Sequence, residues 1–258
     1  MISFLQRHVF VIMINTMDCR NIHIMPPLFY SPFKVAFTII LTLFLAIAVS
    51  ILFFGLASTA FARIGFSWRD AFILLFFSLI GSNINIPLRT FESEASIEKQ
   101  RHARMFGISY RVPFRDTFRT KTTLAVNVGG ALIPAVVSIY LLSLFPEALV
   151  YCIYATIIVA AVTKLVARPV RGVGIVSPAL VPPIAAALAS TLVVYVTQLN
   201  HDLLFITAYI SGTMGTLIGA DLLNLKAITK IGTPVASIGG AGTFDGVFLA
   251  GVIAVLLV

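Results

Sequence analysis

Seven apolar stretches, each near the roughly 20 residues of helix that cross a bilayer, constrain this chain more than any other feature. Runs of this length with few charges are typical of membrane helices, so the sequence predicts an all-α polytopic membrane protein with about seven transmembrane helices. The predicted spans are residues 34–61, 69–88, 123–145, 148–167, 177–198, 203–224 and 237–257.

The composition agrees with that class. Of the 258 residues, 59% are hydrophobic and only 11% are charged, whereas soluble domains have about 25% charged residues. This is too little polar surface to coat a soluble globule. We expect one transmembrane domain over residues 34–258, preceded by a cytoplasmic or interfacial segment over residues 1–33.

The basic residues predict the orientation. Sixteen of the 18 Lys and Arg residues fall on one side of the predicted spans, eight of them in the loop 89–122, and only Arg63 and Arg69 fall on the other. We expect the protein in the cell (inner) membrane. The positive-inside rule then puts its N-terminus in the cytoplasm and its C-terminus on the outer side of that membrane. Contact with membrane lipids, including anionic headgroups, is expected, and nucleic-acid binding is not.

The loop 89–122 mixes acidic and basic residues. Glu94, Glu98, Arg101 and His102 are spaced as pairs on a solvated helix. His102 has no cluster of further ligands of the kind that metal sites show. The two cysteines fall in a tail and in a span and suggest neither a disulfide nor a metal site. We therefore expect no metal and no cofactor.

Two carboxylates on consecutive predicted spans are the main functional signal. Asp221 lies near the end of the sixth span and Asp245 near the start of the seventh, joined by a short connector with Lys226 and Lys230. Both should lie at a similar depth on the same side. An ionisable group inside a membrane is a functional-site hypothesis by default, although each Asp could also make structural hydrogen bonds.

Small residues accompany both acids. Ser211, Gly215 and Gly219 recur every four residues, as do Gly242, Gly246 and Ala250, and such stripes allow close packing of spans six and seven. The glycines before Asp245 could instead form a broken helix that exposes backbone to an ion or substrate, as in transporters. Candidate substrate- or ion-binding residues are Asn83, Asn127, Asn224, Gly240, Gly242, Thr243, Pro178, Ala179 and Leu180.

Two pairs of segments echo each other. Residues 79–83 (LIGSN) resemble 217–221 (LIGAD), and residues 127–131 (NVGGA) resemble 237–241 (SIGGA). A duplicated helix pair would explain both, with Asn83 standing where Asp221 stands. Short strings of small and apolar residues also recur by chance in membrane helices.

Several longer motifs together resemble one family, the prokaryotic membrane family known as domain of unknown function 1614. The resemblance covers roughly residues 26–258 and implies an integral membrane protein without defining an activity. Its motifs are LIGSNINIP at 79–87, VNVGGALIP at 126–134, ARPVRGVGI at 167–175, PALVPP at 178–183, GADLLNL at 219–225 and SIGGAGTFDG at 237–246.

Asp221 and Asp245 also resemble, more distantly, the aspartate pair of presenilin-type intramembrane proteases. In that family the acids lie on helices six and seven, the second follows Gly-x-Gly, and a Pro-Ala-Leu element lies nearby. Here Thr243 and Phe244 separate Gly242 from Asp245, Ala220 precedes Asp221 where that family has Tyr, and the Pro-Ala-Leu element at 178–180 precedes both acids.

Three hypotheses follow. Two adjacent carboxyls that share a proton can hydrolyse a peptide bond, one as base toward water and one as acid toward the carbonyl oxygen, which implies a membrane-protein or peptide substrate. The same acids could bind a proton or cation in a transporter or channel-like protein. The chain could also be a non-catalytic membrane scaffold. The sequence leaves the oligomeric state open.

Overall fold

A computed structural model of the chain describes residues 32–105, 108–170, 174–197, 202–228, 234–240 and 246–258. The segment expected over residues 1–33 lies outside this part except for its last two residues. Two compact units divide the chain, Met1–Ile51 and Leu52–Val258. In the first unit, the side chains of residues 35–50 are exposed along a helix of almost wholly apolar sequence.

Seven helices of 12 or more residues lie within the described ranges, one for each predicted span. The described chain is thus mostly helical as predicted, and three of its stretches (Val35–Arg63, Pro146–Val166 and Leu203–Ala227) are long and apolar enough to cross a membrane. The helices are α1 (Pro32–Arg63), α2 (Trp68–Gly81), α3 (Ile133–Leu144), α4 (Leu149–Val166), α5 (Val181–Thr197), α6 (Asp202–Thr216) and α7 (Gly246–Leu257).

The prediction of a solvated helix in the loop 89–122 is wrong, because this loop is a long β-hairpin. Strand β1 (Asn85–Met105) pairs antiparallel with β2 (Ile108–Asn127), from Asn85 opposite Asn127 to Met105 opposite Ile108. Thr, Phe, Tyr, Val and Ile are frequent in β2, and such residues favour strands. The hairpin also shortens the second and third predicted spans, because α2 ends at Gly81 and residues 123–127 are strand.

Two further strand pairs lie near the helix ends. Strand β5 (Val235–Ile238) runs parallel to β2, with Thr123 opposite Val235, so β1, β2 and β5 form one sheet. Strands β3 (Arg168–Val170) and β4 (Gly174–Val176) form a separate antiparallel pair. The chain is therefore not all-α as predicted, although helices make up most of the described residues.

Small residues on α6 bring it close to two other helices. A Cβ built on Gly212 would lie 2.9 Å from the Ala250 carbonyl oxygen of α7. On another side of α6, a Cβ on Gly215 would lie 2.6 Å from Cβ of Val159 in α4. Close packing of the sixth and seventh spans is thus confirmed, but through Gly212. The stripe of Gly215 and Gly219 packs against α4, and Gly246 has open space around its Cα.

Aromatic side chains fill the core where α6 and α7 meet the end of α1. Phe61, Tyr209 and Phe248 are all buried, and the Phe61 ring centroid lies 5.9 Å from that of Tyr209 and 6.0 Å from that of Phe248. This cluster and the glycine contacts hold α6 among α4 and α7. They fix the helix whose C-terminal end carries Asp221.

Candidate functional site

Asp221 ends a single π-helical turn, Leu217–Asp221, that continues α6. Its side chain is only 9% exposed, and its Oδ2 accepts a hydrogen bond from the backbone N–H of Gly239 at 2.7 Å. A 3₁₀ turn, Leu222–Asn224, and one helical turn, Leu225–Ile228, follow. The sixth predicted span is therefore a continuous helix whose hydrogen-bond period changes twice, from α to π at Leu217 and from π to 3₁₀ after Asp221. Single π turns of this kind are frequent at functional sites.

The backbone after β5 has a shape that only glycine adopts readily. Gly239 and Gly240 have φ angles of +81° and +89°, in the region where a Cβ is unfavourable. A Cβ on Gly239 would also lie 2.6 Å from Cβ of Ala131. These two glycines turn the chain so that the Gly239 N–H meets Asp221.

Asp221 lines a cavity of about 290 Å³. Strands β4 and β5 both contribute to its wall, and each has a hydrogen-bonded neighbour on one side only within the described ranges. The lining residues are Gly174, Ile175, Val176, Ser177, Thr216, Ala220, Asp221, Val235, Ala236, Ser237, Gly240, Gly246 and Val247.

A polar network ties the hairpin to this wall. Asn85 Oδ1 accepts hydrogen bonds from the Ser237 hydroxyl at 2.6 Å and from Asn127 Nδ2 at 3.1 Å. The fully buried Asn127 also donates to the Ser82 carbonyl at 2.6 Å and caps a second π turn, Val128–Leu132, through the Gly130 N–H at 2.7 Å. Asn127 thus acts as a structural link between α2, the hairpin and Ser237.

The echoed segments share one local arrangement. A Cβ on Gly129 would lie 2.0 Å from the Ser78 carbonyl oxygen, so this glycine packs against the end of α2. The backbone N–H of its counterpart Gly239 donates to Asp221, which ends the π turn after α6. Gly129, after β2, thus contacts the end of α2, and Gly239, after β5, contacts the π turn at the end of α6. This likeness supports the predicted duplication, which stays a prediction.

The remaining predicted site residues fall in different places. Gly240 lines the cavity, whereas Asn83 is exposed and its amide donates to the Leu79 carbonyl at 3.2 Å. Pro178, Ala179 and Leu180 are exposed in the turn before α5 and are not part of the cavity wall. Asp245, Gly242 and Thr243 lie outside the described residues.

Asn224 does not line the cavity. Its side chain is buried and donates to the Ala220 carbonyl at 2.8 Å and to the Gly219 carbonyl at 3.2 Å. It therefore contacts the π turn and not the cavity.

Sequence reasoning missed three polar residues of the wall. Ser177 Oγ is buried without a hydrogen-bond partner among the described residues, and Thr216 and Ser237 also line the cavity. Ser177 directly precedes the Pro-Ala-Leu element, which was the available signal for it. Thr216 carried no signal, because an isolated hydroxyl residue is common in membrane helices, and Ser237 was noted only as the first residue of the SIGGA echo.

The fold and site together define a helical protein of the membrane type with a buried carboxylate beside a cavity. Residues 79–257 match the family model described as Protein of unknown function (DUF1614). The match covers more than half of the chain, and the chain belongs to this family. No curated protein and no solved structure shows significant similarity to it.

Proposed function

We propose that the chain is an intramembrane peptide hydrolase in which Asp221 and Asp245 form the acid–base pair. The observation that carries the proposal is the position of Asp221 in a cavity lined by two strands, β4 and β5, each paired on one side only in the described part of the chain. An extended peptide binds by adding to an unpaired strand edge through main-chain hydrogen bonds. We infer that a substrate peptide pairs with one of these strands at the cavity wall.

The neighbours of Asp245 in the sequence support its inclusion. Gly240 and Gly246 flank the segment that carries Asp245, and both line the cavity together with Asp221. The distant resemblance to presenilin-type proteases points to the same two acids. Ser177, next to the Pro-Ala-Leu element, also lines the cavity, although the element itself does not.

The chemistry needs one proton shared between the two carboxyls. The ionised carboxylate takes a proton from water, whose oxygen bonds to the substrate carbonyl carbon, while the protonated carboxyl gives its proton to the carbonyl oxygen. When the tetrahedral intermediate collapses, the C–N bond breaks, the diol returns one proton to a carboxylate, and the other carboxyl protonates the leaving amine. The pair ends with its single shared proton, ready for another turnover.

The proposal includes a location. We infer seven crossings of the cell (inner) membrane, with the N-terminus in the cytoplasm and the C-terminus outside, because sixteen of 18 basic residues fall on the inferred cytoplasmic side. Anionic lipid headgroups are the expected contact of these basic residues. Asp221 would then lie near the cytoplasmic face.

The test compares cleavage by wild-type protein with that by Asp221→Asn and Asp245→Asn. Each is expressed in a bacterial host, and new protein N-termini in the membrane fraction are enriched and sequenced by mass spectrometry. Both variants should lose wild-type cleavages by about 100-fold or more, the usual contribution of an acid–base group. Asp70→Asn, an exposed carboxylate at the start of α2, should keep them. Cleavage that persists in both site variants would refute the hydrolase.

A second candidate function is proton- or cation-coupled transport. The specific observation that favours it is irregular backbone beside the cavity, the π turn at Asp221 and the left-handed glycines Gly239 and Gly240. Transporters bind ions where helices depart from regular geometry. Flux of protons or cations into liposomes that is lost in Asp221→Asn, with no cleavage by the wild type, would favour this function.

A further inference from the structure

The side chains of Asn224 and Lys164 link the π turn that carries Asp221 to α4. Asn224 Nδ2 donates to the carbonyls of Ala220 and Gly219, the two residues that directly precede Asp221. Lys164 of α4 donates to Asn224 Oδ1 and, at 2.7 Å, to the Leu223 carbonyl. The helical period changes from π to 3₁₀ after Asp221, so these side-chain donors add to the backbone hydrogen bonds where the helix changes its period.

The ammonium group of Lys164 also sets which way the Asn224 amide points. An ammonium group has donors only, so it selects the oxygen of the carboxamide and turns the NH₂ group away from itself. The NH₂ group then faces the Gly219 and Ala220 carbonyls. Without Lys164, the amide could rotate and lose both bonds to the π turn.

The packing beneath this link leaves little room for adjustment. A Cβ on Gly219 would lie 2.5 Å from the Ala160 carbonyl oxygen of α4, and Ala160 is one helical turn before Lys164. The π turn therefore rests directly on the part of α4 from which Lys164 extends. Because Gly219 is held against α4, a rearrangement that follows loss of the Asn224 link falls on the C-terminal end of the turn, where Asp221 lies.

We propose that Asn224 and Lys164 are positioning residues that hold the Asp221 carboxylate against the Gly239 N–H and on the cavity wall. Neither residue lines the cavity, so they act through the π turn. The assignment of a role in the reaction rests on the proposed function, whereas the positioning itself does not.

The test measures amide hydrogen exchange at Gly239, whose N–H bonds Asp221, in purified full-length protein. Asn224→Asp removes the donors at nearly constant shape, and Lys164→Met removes the ammonium group. Each should speed Gly239 exchange about fivefold or more, the factor that corresponds to one ordinary hydrogen bond. Lys164→Arg, which keeps a charged group with donors only, should stay within about twofold of the wild type.

The controls separate positioning from general loosening. Exchange in α7 should not change, and Lys121→Met, at an exposed lysine of β2, should leave Gly239 unchanged. The proposal is overturned if Gly239 exchange is unchanged in the folded variants, if α7 accelerates equally, or if Lys164→Arg behaves as Lys164→Met. Should Asn224→Asp fail to fold, the comparison of Lys164→Met with Lys164→Arg decides.

No substrate enters this experiment. Failure at Gly239 would leave the hydrolase proposal standing, and loss of the hydrolase would leave the exchange result intact.

Discussion

The backbone N–H of Gly239 donates a 2.7 Å hydrogen bond to Oδ2 of Asp221. This bond joins the π turn at the end of α6 to the backbone that follows β5. Both partners are buried, so loss of the bond would leave the Gly239 N–H poorly solvated. The carboxylate therefore has a structural task as well as the proposed chemical one, and substitutions can separate the two.

Replacing Asp221 tests the structural task. Asp221→Ala leaves the Gly239 N–H without an acceptor, which should lower the free energy of unfolding by about 1–3 kcal/mol. Asp221→Asn keeps an acceptor oxygen at the same place and should lose clearly less. Unfolding in detergent micelles, followed by circular dichroism, measures both. Equal losses in the two variants would show that the hydrogen bond does not carry the effect.

Gly239→Ala should destabilise the protein for two reasons. Its φ of +81° disfavours any Cβ, and that Cβ would meet Ala131 at 2.6 Å. We expect a loss of more than about 1 kcal/mol. Gly174→Ala is the matched control, since its φ is +123° but nothing lies within 4 Å of the added Cβ. If both variants lose the same stability, the contact with Ala131 is not a constraint.

Gly219→Ala should weaken the packing of the π turn on α4. The new Cβ would lie 2.5 Å from a backbone oxygen of Ala160, which cannot move without shifting α4, and overpacking of this kind costs about 1–3 kcal/mol. In α1, Gly55 has open space, and Gly55→Ala should be neutral or stabilise by up to about 1 kcal/mol. Thermal melts of both variants give the comparison, and a neutral Gly219→Ala would contradict the contact.

Ser177→Cys should report whether water reaches the cavity. In a background with Cys19→Ser, a small charged methanethiosulfonate should modify Ser177→Cys roughly tenfold faster than Ser190→Cys, because thiol reactivity depends on access. Ser190 is fully buried, and the native Cys152 is 2% exposed and serves as an internal unreactive reference. Equal slow rates at both engineered thiols would mean that the cavity is closed to water, which would weigh against hydrolysis.

The apolar runs predicted where each helix lies but not where several of them stop. Residues 84–88 and 123–126 are as apolar as the helices beside them, and periodicity alone cannot separate a short buried strand from helix. The pairing of Asn85 with Asn127 that makes them strands is a contact between residues far apart in sequence. Nothing in either segment alone reveals it.

The sequence pointed to two residues that line the cavity, Asp221 and Gly240, but not to most of its wall. Asp221 stood out because a carboxylate in an apolar run is rare. The roles of Asn224 and Lys164 depend on a π turn, whose period cannot be seen in the residue pattern. Glu94 and Glu98 have spacing that fits a helix, yet their partners in the ladder are Arg119 and Arg115. Local spacing therefore gave the wrong element there.

Strand β5 has consequences for how the protein is made. Its partner β2 precedes it by more than a hundred residues, and the Gly239 that engages Asp221 follows β5 directly. Contacts so distant in sequence form late. A nascent chain emerging from the ribosome thus carries β2 for more than a hundred residues without the strand that completes its sheet, whereas Asp221 and Gly239 lie 18 residues apart and are synthesised almost together.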